Sequence, residues 1–543
     1  MTSSPTASAV GRLLDAAPTS RFHRRAVLVS GVGFFTDAYD LFVISTVAVL
    51  VKAQWNLSTS QTSWVAGAAI LGAFVGALLF GRIADLMGRK YVYGAVAVVM
   101  ILGALASAAA PGFMWLVAAR FVLGLGIGGD YPVSAVLMSE YANKADRGKL
   151  VGLVFSMQAV GLVVGPVVAI TLLGSGLPHD ATWRVLLALG AVPAAGVVYL
   201  RAKMPESPRF QARTKGLSGR AMEELVRYSD GVIVPMPLAS GQRDAQGAHA
   251  PAAGAVAAGA VASGAVASGA SPGSAPEADA VGGSRGRAVG PMGLRQFLGD
   301  RRMLGLVIGT AGAWFLFDYA YYGNTLSLPA IIKSVDPSAT LIVTLALTLA
   351  MFVVFAVPGY ALAVMRMDRF GHRKLQLLGF AVMAAAFLAL GVIGPLTTLV
   401  APFIAVFGLS YFFVEFGPNT TTFVLPSEVF PTRVRTTGHG IAAGVGKLGA
   451  FIGVFLVPDL QRGIGLRGML LVAAAASVIG YAVTHLLPEP GRRGLDEVSG
   501  EDDGASGDAM PLSRVAPVLN GSVREETREE VRDEVRANTQ AVV

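Results

Sequence analysis

The chain has 543 residues, of which 53% are hydrophobic and 14% charged, with a net charge of +8 and no cysteine. Soluble domains carry about 25% charged residues, so this composition excludes an ordinary soluble protein and favours a membrane protein. The missing cysteines exclude disulfides, thiolate metal sites and cysteine nucleophiles, and no nucleic-acid recognition signature accompanies the basic charge.

The first 25 residues are polar and basic, with Arg21, His23, Arg24 and Arg25 leading directly into an apolar run. That pattern is a cytoplasmic tail and a spanning helix, not a cleavable signal peptide. A helix needs about 20 mostly apolar residues to cross a bilayer. Runs of that kind are found near 26–51, 61–81, 91–110, 114–138, 150–175 and 182–200. A second set follows near 303–331, 339–365, 375–394, 396–424, 438–458 and 465–487. The expected fold is an all-α membrane protein of twelve transmembrane helices in two six-helix bundles. The expected divisions are a tail at 1–25, a first bundle at 26–210, a disordered cytoplasmic linker at 211–295, a second bundle at 296–488, and a tail at 489–543.

The middle of the linker range, AAGAVAAGAVASGAVASGASPGSAPEADAVGG, is mostly Ala, Gly, Val and Ser with no Leu, Ile or Phe, a low-complexity tether and not a span. The last tail is polar, and its ETREEVRDEVR segment could pair Glu with Arg along a short exposed helix. Arg82, Arg89, Lys90, Lys144, Arg147, Lys149, Arg366, Arg369, Arg373, Lys374, Arg433 and Arg435 fall in loops on one side of the predicted topology. The opposite loops hold few basic residues: Lys52, Arg184, Lys333, Arg462 and Arg467. By the positive-inside rule both termini and the linker are cytoplasmic.

The two halves repeat one another. DLMGRK at 85–90 follows the second span and DRFGHRK at 368–374 follows the eighth. Ser139 and Glu140 precede Arg147 by the same spacing that separates Ser427 and Glu428 from Arg435. Parallel repeats of this kind organise major facilitator transporters, with the substrate site at the midplane between the halves. GRIADLMGRK at 81–90 resembles the loop motif of that superfamily. PESPRF at 205–210 and PEPGRRGLDEV at 488–498 resemble its sugar-porter branch. Four further segments resemble the phosphate:proton symporter family: GVGFFTDAYDLFVIS at 31–45, GIGGDYPVSAVLMSE at 126–140, AWFLFDYAYYGN at 313–324 and FGPNTTTFVLPSEVFPTRVRTTGHG at 416–440. The resemblance implies proton-coupled uptake of inorganic phosphate by alternating access, in the plasma membrane, by a monomer that needs no cofactor or metal.

Ionisable groups inside a span are costly and are functional candidates by default. Among them are Asp37, Asp40, Asp130, Asp318, Glu415 and Lys447. Trp314, Asp318 and Tyr322 recur every fourth residue and share one helix face. A carboxylate accepts a hydrogen bond from a P–OH group and repels fully ionised sulfate. Tyr131, Gln158, Trp314, Tyr322 and Asn419 supply donors, and Lys447 supplies positive charge. The family places substrate contacts at positions matching Tyr131, Gln158, Trp314, Asp318, Tyr322 and Asn419. The bland alternatives are helix packing for the aromatic residues, a polar pair for Asp318, and interhelical hydrogen bonds for Gln158 and Asn419.

Burial favours the protonated form of an unpaired carboxylate, which makes Asp37, Asp40 and Asp130 candidates for a proton relay. Some family members carry a glutamate in the third helix after Tyr-Gly. Here Tyr93 and Gly94 are followed by Ala95 and Val96, so Glu415, one turn before Asn419, is a candidate replacement. Asp85, Arg89, Glu140, Arg147, Asp368, Arg373, Glu428 and Arg435 are expected to form cytoplasmic gate pairs, or only to signal topology. Two readings compete with phosphate transport: a facilitator-type proton symporter for an organic anion, aromatic acid or sugar, and a nutrient receptor or membrane enzyme. No nucleophile–base set or metal cluster supports an enzyme.

Overall fold

The computed structural model describes residues 7–228 and 290–501. Eleven helices in it are long and apolar enough to span a membrane. They are α1 (Arg21–Trp55), α2 (Thr59–Met87), α3 (Arg89–Ala108), α4 (Phe113–Tyr141), α5 (Arg147–Gly174), α6 (His179–Ala202), α7 (Arg301–Leu326), α8 (Leu341–Phe370), α9 (His372–Val392), α10 (Val400–Val429) and the run Arg435–Thr484. That last run is two helices. Gly465 sits at φ 72°, ψ 173°, a conformation that no L side chain adopts cheaply, and it separates α11 (435–464) from α12 (466–484). The protein is therefore an all-α bundle of twelve spans, and the described residues hold no strand.

Small residues let the helices of each half approach closely. Gly72 and Gly76 of α2 face the backbone of α4 at Phe121 and Leu125, while Gly124 and Gly128 of α4 face Ala69 and Ala73 of α2. Gly449 and Gly453 of α11 face the carbonyls of Phe315 and Tyr319 in α7. Such stripes replace the hydrophobic drive that is absent between helices in lipid. The halves meet along α2 and α11, where Gly81 faces Thr436 and Gly440, and along α5 and α8, where Gly152 faces Val364 and Met367.

The ends of the predicted linker and tails need correction. Pro208–Arg213 and Ser218–Tyr228 are helices, and Gln211, Ala212 and Ala221 are buried. Any linker therefore begins after the second of these helices, and residues 229–289 lie outside the described residues. Ala7–Ala16, expected within a plain tail, forms a helix that packs Val10 and Leu14 against Ala212 and Ala221. Leu495–Ser499 is also a helix. The ETREEVRDEVR segment lies outside the described residues.

Candidate functional site

Two sets of polar residues are buried between the halves. One sits at the end of the bundle where α1 begins and α4 and α10 end, the basic end. The other lies roughly 10 to 17 residues further in, about 15–25 Å at the helical rise.

At the basic end the repeated motifs pair crosswise. Glu140 of the first half accepts from Arg435 of the second at 3.1 Å, and Glu428 of the second accepts from Arg147 of the first at 2.9 Å. Asp85 accepts from the backbone N–H groups of Thr436 and Thr437 at 3.3 and 2.6 Å. Asp368 accepts in the same way from Gly148 and Lys149 at 3.0 and 2.7 Å. Each loop aspartate thus occupies the N-terminus of a helix in the other half, where donors are unpaired and the dipole favours negative charge. Arg89 bridges Asp85 at 3.1 Å and Glu140 at 3.4 Å, and donates to the Thr432 carbonyl at 2.7 Å.

One expected gate residue departs from this scheme. Arg373 donates to the Leu487 carbonyl of its own half at 2.9 Å, and His372 takes its place beside Glu428 at 2.7 Å and Asp368 at 3.3 Å. The sequence shows Arg-Lys in one repeat and His-Arg-Lys in the other, and only the positional match to Arg89 identifies His372.

The two Pro-Glu motifs cap the adjoining helices. Glu206 accepts from Arg89 and Lys90 N–H, and Glu489 from His372 and Lys374 N–H. Burial pushes the Glu206 carboxyl up, against the opposing effect of Arg89. Burial would also raise Asp496, but Arg209 and Arg213 outweigh it and hold that carboxyl below its usual range. Asp496 and Asp15 both pair with Arg209, and Asp15 lies 3.8 Å from Arg147, so the terminal helices are tied to this charged cluster.

This closure gives a direct prediction. Glu428→Gln removes the charge that Arg147 and His372 share. A shift of about 1.4 kcal/mol in the open–closed balance is tenfold in population. Because the chain has no native cysteine, a single cysteine at the buried Ser139 should react with a polar maleimide roughly tenfold faster in the Glu428→Gln background. An unchanged rate would mean that this pair does not hold the basic end shut.

The deeper set forms one connected network. Tyr131 of α4 donates to Asp37 of α1 at 2.5 Å, and Gln158 of α5 donates to Asp37 at 3.2 Å and to the Tyr131 hydroxyl at 3.0 Å. Tyr360 of α8 donates to Gln158 at 3.1 Å across the interface. Asn419 of α10 donates to Tyr360 at 2.8 Å and to Glu415 at 2.5 Å. Beside this chain Lys447 of α11 lies 3.4 Å from Asp318 and donates to Tyr322, both of α7, at 2.9 Å. Its ammonium also lies over the rings of Tyr131 and Tyr322, at 4.6 and 4.3 Å from their centroids. Trp314 flanks Tyr131 at 6.0 Å and fits because Gly446 presents no side chain to its indole. None of these groups is more than 5% exposed.

Aromatic layers seal the network on both sides. Towards the basic end, Phe34, Phe155 and Phe423 pack with ring centroids 4.6–5.5 Å apart. Towards the other end Phe42 meets Phe352 at 5.0 Å, and Tyr411 packs on Tyr321 while sharing a hydrogen bond with Thr325. The network is thus buried beneath an aromatic layer at each end.

Two of the expected relay acids stand apart from the network. Asp40 is paired with Arg120 at 2.7 Å, and Asp130 is held at both oxygens by Arg201 at 2.7 and 2.9 Å. Both therefore have a fixed cation partner, as does Asp318 beside Lys447. Arg120 lies inside a predicted span, where a buried guanidinium demands an acid. That signal could have found the pair. Arg201 lies one residue past the predicted end of the sixth span, and Tyr360 carries no charge, so composition alone did not single them out.

The family model described as the Major Facilitator Superfamily matches residues 30–454. Low affinity inorganic phosphate transporter 4 of Petunia hybrida is 34% identical over 92% of this chain and 96% of its own length. Probable inorganic phosphate transporter 1-6 of Arabidopsis thaliana is 32% identical over 91% and 96%. Among solved structures, the proton:xylose symporter XylE bound to 6-bromo-6-deoxy-D-glucose shares the fold, with a TM-score of 0.68 at 19% identity over 88% of this chain and 99% of that one. These matches span both halves, and the chain therefore belongs to the major facilitator superfamily, in the branch of those inorganic phosphate transporters, as a membrane transporter and not an enzyme.

Proposed function

We propose that the protein takes up inorganic phosphate together with protons by alternating access, with its basic end and both termini facing the cytoplasm from the plasma membrane. The observation that carries this reading is the buried polar cluster between the halves, where Asp318 and Lys447 stand beside Tyr131, Gln158, Trp314, Tyr322 and Asn419, drawn from both halves. Phosphate at neutral pH is an anion that still carries protons. Lys447 meets its charge, the phenols and amides donate to its bare oxygens, and Asp318 accepts from its P–OH. A substrate bridging these groups pulls the halves together around itself, which is the differential contact that a conformational change requires. The names of the plant relatives support phosphate as the cargo.

Coupling is assigned to Asp37. Its Oδ2 accepts from both Tyr131 and Gln158, while its Oδ1 has no hydrogen-bond partner. A proton on Oδ1 neutralises a buried charge without displacing either donor. It also loosens the hold of Asp37 on Tyr131 and Gln158, because a neutral acceptor binds less strongly than an ionised one. Both donors then become available to phosphate.

The test is uptake of radiolabelled phosphate into proteoliposomes with the membrane potential clamped. An inward gradient of one pH unit is worth about 1.4 kcal/mol per proton and should support about tenfold accumulation for each coupled proton, abolished by a protonophore. Accumulation independent of the gradient, or a strict sodium requirement, overturns the coupling. Preferential uptake of a sugar or aromatic acid overturns the substrate.

A further inference from the structure

We propose that Glu415 is a second proton-binding carboxylate, placed in the C-terminal half, and that its protonation releases the Asn419 amide to the substrate. This rests on the reading of the buried cluster as a proton-coupled phosphate site.

Glu415 is fully buried, and among the described residues it and Asp37 are the two buried acids of the spans with no cation within 4.0 Å. Asp40, Asp130 and Asp318 have Arg120, Arg201 and Lys447, while Asp85, Glu140 and Glu428 belong to the gate. The groups that face Glu415 are phenols and amides: Tyr321 from α7, Tyr360 from α8, and Tyr411 and Asn419 from α10 itself. From α9, Leu375 and Gly379 lie against the same turn. An isolated charge in such surroundings is costly, and a proton is the simplest way to remove it.

The two unpaired acids are built alike. Glu415 Oε2 accepts from Asn419, while Oε1 makes no hydrogen bond. Asp37 likewise uses one oxygen and leaves the other free. A proton entering on Glu415 Oε1 forms an O–H bond there and breaks none, since the amide N–H of Asn419 still finds a carbonyl oxygen. What changes is strength, because the contact ceases to be charge-assisted. Asn419 spends one N–H on Glu415 and the other on Tyr360. Weakening the first frees a donor in the cluster.

The backbone allows that release. Glu415–Asn419 is a single π turn in α10, with Pro418 lacking an N–H and Gly417 at φ −114°, ψ −105°. π turns within helices recur at functional sites, and this one sets the carboxylate and the amide at the two ends of one loosened turn. From Asn419 the hydrogen bonds run through Tyr360, Gln158 and Tyr131 to Asp37. Each half therefore contributes one proton-binding acid to a common network. By reciprocity, a proton that favours phosphate binding is favoured by phosphate to the same degree.

The test uses the full chain in weakly buffered detergent, with inorganic phosphate as the probe and a pH indicator counting protons taken up per phosphate bound. Phosphate's own protonation is common to all variants and cancels in the differences. Glu415→Gln, which mimics the protonated acid, should take up fewer protons than wild type, by up to one per phosphate. Its Kd should also change less steeply with pH, by up to about tenfold per unit, and Glu415→Asp should restore the slope. An unchanged proton count in Glu415→Gln overturns the proposal. A wild-type protein that binds phosphate without taking up protons overturns the underlying reading instead. Should Glu415→Gln fail to fold, infrared difference spectra of Glu415→Asp decide the question. A phosphate-evoked protonated-carboxyl band should shift from the wild-type position, and a band that stays in place overturns the assignment.

Discussion

Asp318→Asn should lower phosphate uptake by about 10- to 100-fold and at the same time let sulfate compete better for the site. Asp318 lies in the middle of α7 with Trp314 and Tyr322 one turn to either side. Its Oδ2 faces Lys447 at 3.4 Å and its Oδ1 has no hydrogen-bond partner. The free oxygen is the acceptor a P–OH group would use. A hydrogen bond to a charged group is worth about 1.5–3 kcal/mol, which sets the expected loss. The amide keeps the size of the carboxylate but offers N–H where sulfate previously met negative charge.

Lys447 complicates the outcome in a useful way. Removing its acid leaves a buried ammonium with Tyr322, two ring faces and the more distant charge of Asp37, so the variant should also melt earlier. Asp318→Leu with Lys447→Met replaces the pair by apolar groups, an exchange that is often neutral or stabilising. That double variant should regain thermal stability without regaining uptake, which separates a binding role from a packing role. Undiminished uptake by the Asn variant refutes the binding role. Lost uptake with no change in sulfate competition makes Asp318 a proton carrier instead of the discriminating group.

The parts of the molecule that were legible in the sequence follow from strong, local physics. Twelve apolar runs mark twelve spans because the bilayer forbids unpaired backbone groups. The paired Ser-Glu and Asp-Gly motifs revealed the repeat because each marks the end of a span. Their crosswise pairing, Glu140 with Arg435 and Glu428 with Arg147, could not be read from spacing. Charge inside a span led to Asp37, Asp318, Glu415 and Lys447, and the structure gathers them in one region. Charge alone left open which acids were already neutralised: Arg201 lies just outside the predicted spans, and Arg120, inside one, signals a buried acid without naming Asp40, 80 positions away. Tyr360 and the Phe34, Phe155 and Phe423 layer escaped notice because neutral aromatic residues in apolar runs carry no local signal. Their role comes only from the packing of the two halves.

The pairing of Asp130 with Arg201 leads to a second large expected effect, on stability and not on coupling. Arg201 holds both oxygens of Asp130, and Ser134 donates to one of them at 3.0 Å. The guanidinium lies over the Tyr93 ring at 4.4 Å, and Tyr93 in turn donates to Ser30. Gly33 of α1 leaves the space that the pair occupies, since a methyl group there would collide with both partners. Four helices, α1, α3, α4 and α6, therefore meet on one ion pair, and both oxygens of Asp130 are hydrogen-bonded. Breaking a buried pair by removing one partner costs about 3–5 kcal/mol. Asp130→Asn and Arg201→Met should each lower the melting temperature in detergent by on the order of 5–10 °C. Asp130→Leu combined with Arg201→Met, which leaves no orphaned charge, should recover most of that loss. The molecules of Asp130→Asn that do fold should still accumulate phosphate in response to a proton gradient, because Asp37 is intact. A variant that melts like wild type but no longer responds to the gradient would reverse the assignment and restore Asp130 to the proton path.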